Sequence, residues 1–171
     1  LDKKNTKKGA KGAEKDVNDA DADGDGEEEE VEPDDALAGV FACRDFDALL
    51  VFSEHGMVYM LQALDIPLAK KMTAQGSELK DFLPELGEHR IAALVTVSQR
   101  ALRDQCDEFV VLVTATGMAK KVSLDRFRGL RAGKGLVAMK LSAGDELRWA
   151  HRATLNSALV LVTAQGCVLR C

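Results

Sequence analysis

Seven cations, Lys120, Lys121, Arg126, Arg128, Arg131, Lys134 and Lys140, fall within about twenty residues of one another, and only Asp125 offsets them. Lys70 and Lys71 precede this run, and Arg148, Arg152 and Arg170 follow it. Such a set suits one kind of chemistry: Lys and Arg side chains neutralise phosphates, release condensed counterions and track a nucleic-acid backbone without reading bases. Aromatic residues make up only 5% of the chain. That argues against bases stacking on side chains, as in single-strand binding, and for contact with a duplex backbone. The competing reading is of solvated surface cations on an ordinary scaffold.

Other constellations are weaker. Asp19, Asp21, Asp23, Gly24 and Glu30 match positions 1, 3, 5, 6 and 12 of a calcium loop. Gly26 stands where such a loop has an apolar anchor, however, and neither flank has helical periodicity, so a solvated polyanionic linker is the better reading. His55, His89 and His151 are far apart in sequence and none pairs at ligand spacing, which predicts neither a metal centre nor a catalytic triad. Tyr59 reads as an ordinary sheet residue. No phosphate loop, nucleotide fingerprint or nucleophile elbow occurs, and no catalytic residues are assigned. Cys43, Cys106, Cys167 and Cys171 form no C-x-x-C pair and are expected to be buried, reduced thiols.

The cations need a frame, and the frame is a repeat. Leu49-Leu-Val-Phe-Ser-Glu-His-Gly-Met-Val-Tyr-Met recurs as Val110-Val-Leu-Val-Thr-Ala-Thr-Gly-Met-Ala-Lys-Lys and as Ala158-Leu-Val-Leu-Val-Thr-Ala-Gln-Gly-Cys-Val-Leu-Arg. Each copy is a β-hairpin pattern, with Gly56, Gly117 or Gly166 where the turn needs positive φ. Val51, Leu112 and Val160 are expected to be buried. The turn glycines are 61 and 49 residues apart, near the period of a four-stranded propeller blade. Between hairpins a second pattern repeats: a basic glycine-bearing loop, a strand end, a Gly-acid turn at Gly87 or Gly144, and another strand. With the units arranged about an axis, the cations form a belt on one rim, with Lys120, Lys121, Arg131 and Lys134 pointing outward along one edge.

Composition changes near residue 39. Residues 1–39 hold six Lys against fourteen Asp and Glu, a net of −8, with few large apolar side chains. This stretch is read as a disordered acidic segment. Residues 40–171 carry a net of +3, so the overall charge of −5 belongs to the segment ahead of them. No run of eighteen apolar residues and no signal core occurs, which predicts a soluble intracellular protein with no membrane partner. A start at Leu1 and a stop at Cys171, just after a strand, suggest a fragment of something longer.

Four stretches, LLVFSEHGMVYMLQALDIP at Leu49 to Pro67, DFLPELGEHRIAALVTV at Asp81 to Val97, VTATGMAKKVSLDRF at Val113 to Phe127 and AMKLSAGDELRWA at Ala138 to Ala150, resemble successive blades of the C-terminal domain of DNA gyrase A. The equivalent part of topoisomerase IV is the nearest alternative. The resemblance covers about Val40 to the end. It implies an all-β, propeller-like β-pinwheel in which neighbouring blades exchange a strand, present here as a partial ring of two to three blades over residues 40–171. It also implies a DNA-binding and DNA-wrapping role in a type II topoisomerase, with double-stranded DNA, the rest of the gyrase A protein and gyrase B as partners. ATP and magnesium would act elsewhere in the assembly, and no cofactor is expected in this chain.

The expected DNA-binding residues are Lys70, Lys71, Lys120, Lys121, Arg126, Arg128, Arg131, Lys134 and Arg170, read from the charge pattern, and of these the resemblance carries over Lys120, Lys121, Arg131 and Lys134 by position. The alternative is a propeller scaffold for proteins. Thr6-Lys-Lys-Gly-Ala-Lys-Gly is the nearest match to the family's Gln-Arg-Arg-Gly-Gly-Lys-Gly box, and Met57 and Met60 stand in the first hairpin where a cation is expected. The acidic, Asp-rich insertion points to an organellar form from a plant or alga, in a plastid or other organelle, with the bacterial cytoplasm as the alternative.

Overall fold

A computed structural model describes residues 37–71, 76–104 and 107–171. The calcium-loop match, the Thr6–Gly12 box and Cys106 lie outside them. The chain divides into two units, Leu1–Ala38 and Gly39–Cys171, and the second holds the architecture.

Its strands are β1 (Ala48–Ser53), β2 (Met57–Gln62), β3 (Ile91–Val97), β4 (Glu108–Thr114), β5 (Ala119–Ser123), β6 (Leu136–Val137), β7 (Leu147–Thr154), β8 (Val160–Val162) and β9 (Val168–Arg170). Among the described residues helix is confined to α1 (Leu79–Phe82), α2 (Gln99–Arg103) and short 3-10 turns. All strand pairing is antiparallel, and the strand orders are β3-β1-β2-β6, β5-β4-β7 and β8-β9. The first two sheets are the first two repeats. Strand β6 belongs by sequence to the second repeat but pairs with β2 of the first, Met57 opposite Val137 and Val58 opposite Leu136. One blade therefore lends a strand to its neighbour.

The hairpins share more than glycine. Gly56, Gly117 and Gly166 all have positive φ, at 76°, 89° and 84°. In each, a hydroxyl at the end of the first strand closes the turn by accepting an amide four residues on: Ser53 Oγ accepts the Met57 N–H at 3.3 Å, Thr114 Oγ1 that of Met118 at 3.2 Å, and Thr163 Oγ1 that of Cys167 at 3.0 Å. A register shift recurs as well, at Phe52/Ser53 against β3 and at Val113/Thr114 against β7.

Burial explains why β1 is a continuous apolar run rather than an alternating one. Leu50 and Phe52 face the second sheet and pack with Val97, Leu112, Phe127 and Leu147, the Phe52 and Phe127 rings meeting edge to face at 6.1 Å. Leu49 and Val51 face the other way, against Leu83 and Leu86 of the segment after α1. Both faces of β1 are therefore buried, and period-two alternation is lost in this strand.

Three expectations need correction. Val51 and Leu112 are buried, but Val160 is 54% exposed, because among the described residues the β8-β9 hairpin pairs with itself alone and no other sheet covers it. Leu83 does not end a strand: α1 and the 3-10 turn Pro84–Leu86 occupy that stretch, with Pro84 removing a ladder donor. Cys43, Cys167 and Cys171 are exposed, the first in irregular chain before β1 and the others on the uncovered hairpin.

Candidate nucleic-acid interface

The two large sheets approach each other most closely through β3 and β7, the strands at one edge of each. The β2–β6 pair and β5 therefore lie at the opposite, outer edges. Each of the nine residues expected to bind DNA follows the second strand of a hairpin or lies in it: Lys70 and Lys71 after β2, Lys120 and Lys121 in β5, Arg126, Arg128, Arg131 and Lys134 after β5, and Arg170 in β9, whereas Arg148 and Arg152 lie in β7. All nine are exposed.

They do not share one direction or one state of engagement. Lys120 and Lys121 are consecutive strand residues, so they project to opposite faces. Lys120 sits opposite Leu112, on the face toward the first blade, and its Nζ donates to the Ala138 carbonyl at 2.7 Å. Lys121 sits opposite Val111 on the other face, with its Nζ 4.0 Å from the centre of the Phe109 ring. An ammonium over an aromatic face is held by the ring quadrupole and stays available to a phosphate.

Lys134 is committed internally. Its Nζ pairs with Glu85 Oε1, while Glu85 Oε2 accepts the Gly135 N–H at 2.9 Å. The Lys134 hydrogen bond, then that of Gly135, holds the Glu85 carboxyl below the usual carboxylate range. The Tyr59 hydroxyl donates to the Glu85 carbonyl at 3.1 Å, and burial, then the Glu85 charge, pushes the phenol up. Arg128 donates to Asp125 Oδ1 at 2.5 Å and to the Asp104 carbonyl at 2.8 Å. Arg148 and Arg152 pair with Glu146 at 3.2 Å and Glu108 at 2.6 Å.

Arg126, Arg131, Arg170, Lys70, Lys71 and Lys140 engage no carboxylate among the described residues. Sequence position thus mixed two classes. Lys120, Arg128 and Lys134 bind elements of the fold together, whereas Arg126, Arg131, Lys121 and Arg170 keep their charge toward solvent. The pairing of Lys134 with Glu85 spans 49 residues and has no local signature.

The turns at the rim hold a contact that residue spacing does not reveal. His55 and His89, far apart in sequence, have ring centroids 4.3 Å apart. The hairpin turn and the acidic turn are joined by Glu54 N–H donating to the Arg90 carbonyl at 3.0 Å. Arg90 also donates to Glu54 Oε2 through Nε at 2.7 Å. Partial burial raises the Glu54 carboxyl, but the hydrogen bonds and charge of Arg90 outweigh it and leave it lowered. Gly87 and Gly144, where the sequence predicts acidic turns, both have positive φ.

Among the described residues no helix is long and apolar enough to cross a membrane. The family model described as the DNA gyrase C-terminal domain, beta-propeller, matches residues 47–75 and 108–154. The DNA gyrase A protein of Synechocystis sp. is 34% identical over 136 residues, 80% of this chain and 15% of that protein. The chloroplastic/mitochondrial DNA gyrase A protein of Arabidopsis thaliana is 33% identical over 135 residues, 79% of this chain and 14% of that protein. The chain thus spans about one-seventh of the length of these relatives. Among solved structures, the C-terminal domain of DNA topoisomerase IV superposes with a TM-score of 0.60 at 23% identity, covering 74% of this chain and 38% of that one. The DNA gyrase A C-terminal domain gives 0.54 at 17%, covering 75% and 38%. Both likenesses concern the fold, an antiparallel β-pinwheel.

Proposed function

The chain belongs to the DNA gyrase C-terminal domain family, and on that premise we propose that it is the DNA-binding segment of a type II topoisomerase whose outer edge bends and wraps duplex DNA. The observation that carries the reading is the placement of solvent-facing cations on or after the second strand of each hairpin, at the outer edges of the sheets. Lys121 and Arg170 occupy equivalent register positions, opposite Val111 and Val160, so successive units offer charge at a repeating interval. Phosphates along a curved duplex would meet them in turn.

Wrapping supplies geometry rather than covalent chemistry. In the parent assembly it would present a DNA crossover to a cleavage core, with the strand-cleaving tyrosine, magnesium and ATP held by other domains and by gyrase B. The bacterial and the chloroplastic/mitochondrial relatives support an intracellular location, and the acidic insertion favours an organelle.

The test is duplex binding by the chain across a salt series. Phosphate tracking predicts that log affinity falls linearly with log salt, by about 0.9 for each phosphate neutralised, irrespective of DNA sequence. Binding that is absent or insensitive to salt would instead support a propeller scaffold for proteins. Ligation of nicked plasmid with the chain bound would report wrapping as a change in linking number.

A further inference from the structure

The first two blades close their rim turns in different ways. In the second blade, the hairpin turn and the acidic turn are joined by Ala115 N–H donating to the Glu146 carbonyl at 2.8 Å. Beside this bond Thr116 donates to Asp145 twice, from its N–H at 3.2 Å and its hydroxyl at 2.8 Å. In the first blade the equivalent backbone bond runs from Glu54 to Arg90, and the positions of Thr116 and Asp145 are held by His55 and His89. Their rings stack at 4.3 Å with a tilt of 37° and form no hydrogen bond to each other among the described residues. Two imidazoles have replaced a donor–acceptor pair.

A third group completes the set. One ligand atom each from Glu54, His55 and His89 lie within 4.8 Å of one another. Glu54 Oε2 is held by the Arg90 guanidinium at 2.7 Å, while Oε1 accepts the Arg90 N–H at 3.3 Å and lies 3.7 Å from His55 Nδ1. The Glu54 side chain is only 15% exposed and that of His55 is 57% exposed, so the carboxylate forms the floor and the imidazoles the mouth. Two imidazole nitrogens and a carboxylate oxygen are ligands for a borderline divalent ion. Tetrahedral zinc, with bonds of about 2.0–2.2 Å, needs its ligand atoms roughly 3.3 Å apart. Rotation of two exposed histidines supplies that contraction, and Arg90 orients the carboxylate from outside the ligand set.

We propose that Glu54, His55 and His89 form a zinc site that staples the hairpin turn of the first blade to its acidic turn, doing with a metal what Thr116 and Asp145 do with hydrogen bonds. Three protein ligands leave a fourth position for water.

Zinc chloride is titrated calorimetrically into the full 171-residue chain, with its thiols alkylated so that cysteine does not compete. The expected result is one saturable site, at least tenfold weaker in His55→Ala and in His89→Ala, with zinc raising the thermal midpoint of the native chain only. The double variant His55→Thr with His89→Asp installs the second blade's pair and should fold as well as the native chain without zinc while losing the same affinity. Absence of saturable binding at about millimolar zinc overturns the proposal. So does undiminished binding by the two alanine variants.

Discussion

Gly56 and Met139 are in backbone contact across the two blades: the Gly56 carbonyl accepts the Met139 N–H at 3.1 Å, and a Cβ on Gly56 would stand 2.3 Å from the Met139 carbonyl oxygen. Gly117 holds the same place in the next hairpin, with nothing within 4 Å of an added Cβ. Both have positive φ, so alanine is strained at either, by about 1–2 kcal/mol. Only at Gly56 must the neighbouring blade also move, which adds about 1–3 kcal/mol. Gly56→Ala should therefore lower the chemical-denaturation midpoint clearly more than Gly117→Ala. Equal losses would mean that the contact between blades yields freely.

A second expectation separates the cations. Replacing Arg126, Arg131, Lys121 or Arg170 with Ala should lower the slope of log affinity against log salt by nearly one unit each, without unfolding. Lys134→Ala should change the slope little. Its ion pair with Glu85 is exposed on both sides, so the stability change should stay within about 1 kcal/mol. A full unit lost in Lys134→Ala would show that DNA outcompetes Glu85 for this lysine.

These distinctions mark what the sequence made legible. The repeated apolar run and turn glycine at residues 49–60, 110–121 and 158–170 identified the hairpins, because a turn that needs positive φ restricts its residue types. Loans between blades were not legible from spacing: β6 is two residues long, and its partner β2 lies more than seventy residues upstream. Side-chain partners distant in the chain, Lys134 with Glu85 or His55 with His89, likewise depend on how the sheets stack. Met60 illustrates the same limit. It occupies the place of Lys121, but in the first sheet that position is partly buried against the main core, whereas in the second it is open. Methionine there reflects packing as well as a missing cation.

Acid should weaken the fold through three lowered carboxylates, Glu54 held by Arg90 as described above and two more. Glu85 is lowered by Lys134 and Gly135; Asp145 is raised by partial burial but lowered further by hydrogen bonds from Thr114, Thr116 and Glu146. A carboxyl lowered in the folded state binds fewer protons than its unfolded counterpart. The stability it confers is therefore complete above the ordinary carboxylate value and disappears as pH falls through the lowered one. Thermal midpoints measured from about pH 6 to about pH 3 should fall, and Asp145→Asn should flatten the fall. If Asp145→Asn shifted the midpoint equally at every pH, the loss would be one of packing and not of charge.

The repeated turn hydroxyl offers an internal control on burial. Thr114 is fully buried, and its Oγ1 accepts the Met118 N–H and meets Thr116 Oγ1 at 3.2 Å. Thr163 makes the same bond to Cys167, but in an exposed hairpin. Valine keeps the shape and removes the acceptor. At Thr114 the substitution removes a hydroxyl from a fully buried position and breaks a part-buried bond, at a cost of about 1–3 kcal/mol. At Thr163 water replaces the lost partner, and the cost should stay within about 0.5 kcal/mol. Denaturation of Thr114→Val and Thr163→Val, with hydrogen exchange at the Met118 and Cys167 amides, measures both. A Thr163→Val variant as unstable as Thr114→Val would show that the third hairpin is as well protected in solution as the second.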